Sequence, residues 1–162
     1  MRLAVSLLAC LALPAQAQEM DFDPDQIETC LSQLEDRTQS AACIGRAALS
    51  CMEQPMGETT MGMGFCLDAE RTYWDSKLNT VYQMLRADFA SRDAARDGMA
   101  PAIAEGLRDM QRAWIAFRDA RCSFEAAQWH GGTAAGPAYL GCAMQMTAEQ
   151  TLYLTAIFEG AH

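Results

Sequence analysis

The sequence predicts an all-α protein: an antiparallel bundle of three long helices, preceded by two short helices and stapled by disulfides. Three observations carry this. Three long segments repeat apolar residues at steps of three and four. No segment shows the strict alternation that a half-buried strand requires. An even set of cysteines remains once the N-terminal residues are set aside.

Those N-terminal residues have the pattern of a secretory leader. Arg2 supplies the positive end, Leu3 to Leu13 is a short apolar run, and Ala15-Gln16-Ala17 is a small-residue cleavage site. The run is shorter than the roughly 20 residues a membrane-spanning helix needs. Leu7-Leu8-Ala9-Cys10 resembles a lipidation box, but the apolar run continues past Cys10 to Leu13, which argues against a lipid anchor there. Cleavage after Ala17 leaves 145 of the 162 residues, one domain with room for a core, in the periplasm or secreted.

The first short helix starts at Asp23-Pro24, with Asp23 as N-cap and Pro24 at the first helical position, and carries Ile27, Leu31 and Leu34. Ser40 is placed to cap a second, carrying Ile44, Ala47 and Cys51. Pro55 to Gly64 is rich in Met and Gly and reads as a loop. The first long helix is expected over about Phe65 to Ala90, with the stripe Leu67, Trp74, Leu78, Val81, Leu85 and Phe89. The second opens at Pro101, carries Ile103, Leu107, Met110, Trp114 and Phe117, and stops at Gly131-Gly132. The third begins near Pro137 and carries Leu140, Met144, Thr147, Thr151, Leu154 and Phe158. Thr147 and Gln150 offer a competing capping box, but no breaker precedes them. The chain thus divides into residues 1–17 as leader, 18–64 as short helices with the Met/Gly-rich loop, and 65–162 as the helical core.

Seven cysteines fall to six when Cys10 leaves with the leader, and an even set in an exported chain implies bridges. In an antiparallel bundle, Cys66, Cys122 and Cys142 lie at one end, with Cys51 close by in sequence. Pairs closing loops of modest length are Cys30–Cys43, Cys51–Cys66 and Cys122–Cys142. Exchange among the last four is the open alternative. The sequence has no CxxC, and His130 is the one histidine near the cluster, so a metal or redox site is not expected.

Composition narrows function. The formal charge is −9, and −10 without Arg2, which disfavours nucleic acid and favours a basic partner. There is no Ser–His–Asp signature, no HExxH, no phosphate loop and no EF-hand loop. Carboxylates are scattered over helix surfaces. The expectation is a binding protein without cofactor, not an enzyme. Trp74, Leu78 and Tyr82 share one face of the first long helix, with Asn79 beside them able to bond a neighbouring helix. On the second, Gln111, Trp114, Arg118 and Asp119 read as a core aromatic with a polar network that fixes register, Arg118 pairing with a carboxylate such as Asp75. The segment Trp129 to Tyr139, with His130, Gly131, Gly132 and Thr133, is either a connector or a partner-binding loop.

These residues together carry a resemblance. Cys66, Trp74-Asp75, Leu78-Asn79 and Tyr82 are followed by Gln111-Arg112-Ala113-Trp114-Ile115, Phe117-Arg118-Asp119 and Cys122, then Gly131-Gly132-Thr133, Cys142 and Thr147. From about Cys51 to Phe158 the chain resembles the LprI-like lysozyme inhibitor N-terminal domain family of exported bacterial proteins. The Cys30–Cys43 region lies outside that pattern. The resemblance implies a small helical periplasmic or surface domain that inhibits lysozyme, a basic lysozyme or other cell-wall hydrolase suiting the acidic surface. The alternative is a structural or stress-related envelope protein that uses the scaffold for another partner.

Overall fold

The computed structural model describes residues 20–96, 98 and 102–160. The leader residues, Cys10 among them, lie outside these, as do Pro101 and His162. Five helices and one 3-10 turn follow in order: α1 (Asp25–Ser32), the 3-10 turn (Arg37–Cys43), α2 (Arg46–Met52), α3 (Thr60–Ala94), α4 (Ile103–Ala127) and α5 (Ala135–Gly160).

The long helices form the bundle, each antiparallel to the next, so α3 and α5 run parallel. Near their starts Cys66 shares a cluster with Met144. Further along, Thr151 Oγ1 donates to the Trp74 carbonyl at 3.2 Å. At the far end Leu85 and Phe89 pack with Leu154, Phe158 and, from α4, Leu107. The α1 and α2 helices close the other end, where Ile27, Ala47 and Ala48 are buried against Trp74 and Ala148.

Local chemistry sets the boundaries. The N-cap of α1 is Pro24, one residue later than expected, and no side chain caps the helix from that position; Asp23 Oδ1, just outside it, accepts from Asp25 N at 3.0 Å. Ser40 does not cap a helix. Its hydroxyl donates to the Arg37 carbonyl within the 3-10 turn. That turn is opened by Asp36, which accepts from the backbone and hydroxyl of Thr38 at 2.8 and 2.7 Å. The break before α2 is Gly45, at φ +88°, a conformation that costs a side-chain-bearing residue dearly.

The Met/Gly-rich segment is shorter as a loop than its composition suggests. Thr59 accepts from Gly62 N at 3.0 Å, and α3 starts at Thr60, five residues before Phe65. Two glycines make this possible. A Cβ on Gly57 would collide with the Met52 backbone, and one on Gly62 with the Met56 carbonyl and Gly57. At the other end α3 runs to Ala94, and its Asp93 reaches across the turn to cap α4. The two carboxylate oxygens accept from Ile103 N at 3.0 Å and Ala104 N at 2.9 Å. These bonds hold the Asp93 carboxyl below its ordinary pKa. The α5 helix is continuous through Thr147, which is fully buried.

The stripe on α4 departs from expectation at its end. Steps of four, three, four and three average 3.5 residues, whereas a straight helix needs 3.6, so the stripe drifts off the buried face. Phe117 is 60% exposed. The buried line instead runs through Leu107, Gln111, half-buried Trp114 and Arg118, and Cys122.

Candidate functional site

Among the described residues three disulfides are formed: Cys30–Cys43, Cys51–Cys66 and Cys122–Cys142. The last two hold one end of the bundle, where α3 and α5 begin and α4 ends. Cys122–Cys142 ties the end of α4 to the second turn of α5 and packs on Met146 and Tyr139.

Between these tied helices lies the loop. The chain leaves α4 through successive turns, Trp129 N donating to Ala126 O and His130 N to Ala127 O, each at 3.1 Å. His130 and Gly131 both take left-handed conformations, φ +49° and +78°, which reverse the direction. Gly132 N closes back on Trp129 O at 2.8 Å. Thr133 is exposed before α5 starts at Ala135, so the exposed loop is shorter than Trp129 to Tyr139. Tyr139 is already on α5 and half-buried against the disulfide. Trp129 is 54% exposed and Phe124 67% exposed, and they line one shallow groove with Arg121, Glu125, Gln128 and Ala138. On the Met-rich side of the same end, Met56 and Met61 are also exposed.

The residues singled out on the helices divide into a core and a network. Trp74 and Leu78 are buried and Tyr82 packs at the edge of the far core. Asp75 does not meet Arg118. It lies on the outer side of α3, where it accepts from Asn79 Nδ2 at 3.1 Å within the same helix. Arg118 faces α5. Its Nη2 pairs with Asp119 at 2.8 Å, its Nη1 reaches Thr147 Oγ1 at 3.4 Å, and its guanidinium lies 5.1 Å from the Trp114 ring centre. Gln111 accepts from Gln150 Nε2 at 3.0 Å. The network therefore sets the register of α4 on α5.

Sequence reasoning missed Glu70. It is fully buried, one turn before Trp74, and its partners among the described residues are N–H groups. Its two oxygens accept from Gly45 N at 2.6 Å and Ala48 N at 2.7 Å, and Oε1 also from Trp74 Nε1 at 3.0 Å. Glu70 thus caps α2 from another helix, in place of the side-chain cap that Gly45 lacks. The signal was present, since position 70 falls in the buried register between Leu67 and Trp74.

A second arrangement missed in the sequence joins α1 to α3. Glu28 Oε1 accepts from Tyr73 Oη at 2.6 Å and Lys77 Nζ at 2.5 Å. The Lys77 bond, then the Tyr73 bond, lower the Glu28 pKa, while burial and then Glu28 raise that of Tyr73. Among the described residues no cluster of three His, Cys, Asp or Glu is arranged to hold a metal ion, and no helix is long and apolar enough to cross a membrane.

The family model for lysozyme inhibitor LprI matches residues 51–154, from the α2 cysteine to the last turns of α5. The chain belongs to the LprI family. The LprI match takes in Glu70, the Trp74 face, the Gln111–Asp119 network, both disulfides of the bundle end and the Trp129 loop. It leaves out α1 and the 3-10 turn. Over 162 residues the chain is 25% identical to an uncharacterised 17.7 kDa protein in the puhA 5′ region of Rhodobacter capsulatus, covering 98% of each. It is 28% identical over 161 residues to an uncharacterised protein of Rhizobium meliloti (strain 1021), covering 98% of this chain and 94% of that one. No solved structure matches.

Proposed function

We propose that this chain is exported, loses residues 1–17 and inhibits a basic lysozyme or a related cell-wall hydrolase by binding, without catalysis of its own. On this reading residues 18–64 brace a core at 65–162, and the bundle end with the Trp129 loop meets the enzyme. The observation that carries the reading is the large, exposed indole of Trp129 on a short loop tied down by Cys122–Cys142. Rigid aromatic anchors flanked by apolar neighbours are the common centres of protein interfaces, and Phe124 is such a neighbour. LprI membership supports a lysozyme as the class of partner. The formal charge of −9 supports steering toward a basic enzyme at low ionic strength.

The test is cell-wall lysis by a basic lysozyme with increasing amounts of the oxidised, leader-free protein. The reading predicts dose-dependent loss of lysis at micromolar protein, weakening as salt is raised. Full lysis at low salt with micromolar protein present defeats it and leaves the envelope-protein alternative.

A further inference from the structure

Between α1, the 3-10 turn and the parallel pair α3 and α5 lies a cavity of about 420 Å³, within the range of roughly 300–1,000 Å³ typical of small-molecule sites. It is distinct from the Trp129 end. Its walls include Leu31, Val81, Met84, Leu152 and Phe158. Five hydroxyl residues also line it, and each hydroxyl has an acceptor in the protein: the aliphatic ones are turned to backbone carbonyls, Ser40 to Arg37, Thr80 to Ser76, Thr151 to Thr147 and Trp74, and Thr155 to Thr151, while Tyr73 at the rim donates to Glu28. The interior therefore offers carbon surface and weak acceptors, which suits an apolar chain.

The rim is charged. Lys77 pairs with Glu28, and Arg37 Nη1 lies 3.3 Å from Glu159. The latter contact is longer than the roughly 2.7–2.9 Å of a strong charge-assisted bond. A guanidinium carries more donors than one such contact engages, in a fork that fits a carboxylate or phosphate. Glu28 Oε1, by contrast, already accepts two bonds. Two cations and two carboxylates thus share the rim, and both Arg37 and Lys77 have more donors than these contacts engage. Glu28, Leu31, Arg37 and Ser40 precede the LprI match and Phe158 and Glu159 follow it, so the cavity is completed by what this chain adds to the LprI core.

We propose that this cavity binds a single-chain amphiphile, its acyl chain inside and its anionic headgroup at Arg37 and Lys77. The overall acidic surface repels anionic bilayers, whereas a single headgroup can engage the donors that Arg37 and Lys77 do not spend on Glu159 and Glu28.

Calorimetric titration of the oxidised, leader-free protein tests this, with each amphiphile kept below its micelle threshold. Laurate and lauroyl-lysophosphatidylglycerol separate a free fatty acid from a lysolipid. The proposal expects saturable one-to-one binding of at least one of them, and at least tenfold weaker binding of dodecyltrimethylammonium. R37Q combined with K77Q lowers affinity for the anionic probe at least tenfold. A156W, at an exposed wall position, blocks the cavity and abolishes binding, and M84W on the opposite rim serves if A156W does not fold. Absence of saturable binding by both anionic probes overturns the proposal, as does equal or tighter binding of the cationic one. Unchanged laurate affinity in a folded cavity-blocking variant overturns it equally.

Discussion

The indole Nε1 of Trp74 donates to the carboxylate of Glu70, one turn earlier on α3, at 3.0 Å in the fully buried interior. Through that carboxylate the central aromatic is joined to the first turn of α2, since Glu70 also accepts from Gly45 and Ala48. A buried carboxylate is stable only when its lone pairs are engaged, and here three N–H groups engage them.

Glu70→Gln keeps the shape but turns one acceptor into a donor facing a backbone N–H. It is expected to destabilise by about 2–3 kcal/mol. Glu70→Ala, which also opens a cavity, is expected to cost more. Urea unfolding with far-UV circular dichroism measures both. A Gln variant as stable as the parent removes the capping role.

Gly62→Ala forces a Cβ into the Met56 carbonyl and the Gly57 backbone. The expected loss is about 1–3 kcal/mol, as for an overpacked site. Gly136→Ala is the control, because a Cβ there meets nothing within 4 Å. Thermal melts of the two variants should differ by several degrees, and equal melts contradict the close approach.

Acid should weaken the fold. Glu28 is held below 4.5 by Lys77 and Tyr73, and Asp93 below 3.8 by two backbone N–H groups. The unfolded chain binds more protons in this range. The stability these groups supply is complete above their unfolded values and is lost as pH falls through the lower folded ones. Melting temperature should be level above about pH 5 and decline below pH 4.5. In E28Q combined with D93N the decline should be shallower. An unchanged acid slope in that variant rules out these two groups as its source.

Trp129→Ala is expected to raise the concentration needed for half-inhibition of lysozyme at least tenfold, the usual scale for loss of a central aromatic anchor. Because Trp129 is half exposed, the variant should melt within a few degrees of the parent. Undiminished inhibition moves the contact elsewhere on the molecule.

The helices were legible because each stripe had to repeat near 3.6 residues to bury one face, and the cysteine pairs because short loops favoured them. Phe117 was misplaced by a spacing of 3.5, which differs from the true period too little to see over one turn but enough to expose a side chain after four. The α3 start was hidden because Gly57 and Gly62 look like loop formers, whereas they are glycine to let backbones touch. The pairing of Arg118 depended on which side of α4 faces α5, and a helical stripe alone does not fix that. The Trp129 loop could be read from its glycines, but the cavity between α1 and α5 could not, since its rim joins Arg37 to Glu159, residues far apart in the chain.

Each disulfide joins a cysteine to the next one along the described chain, across 13, 15 and 20 residues. A polypeptide threaded N-terminus first into an oxidising compartment presents its thiols in that same order. Each would meet its native partner before a later competitor arrives, so oxidation on emergence gives the native connectivity without reshuffling. After full reduction and denaturation all six thiols compete at once, and that advantage of order is lost.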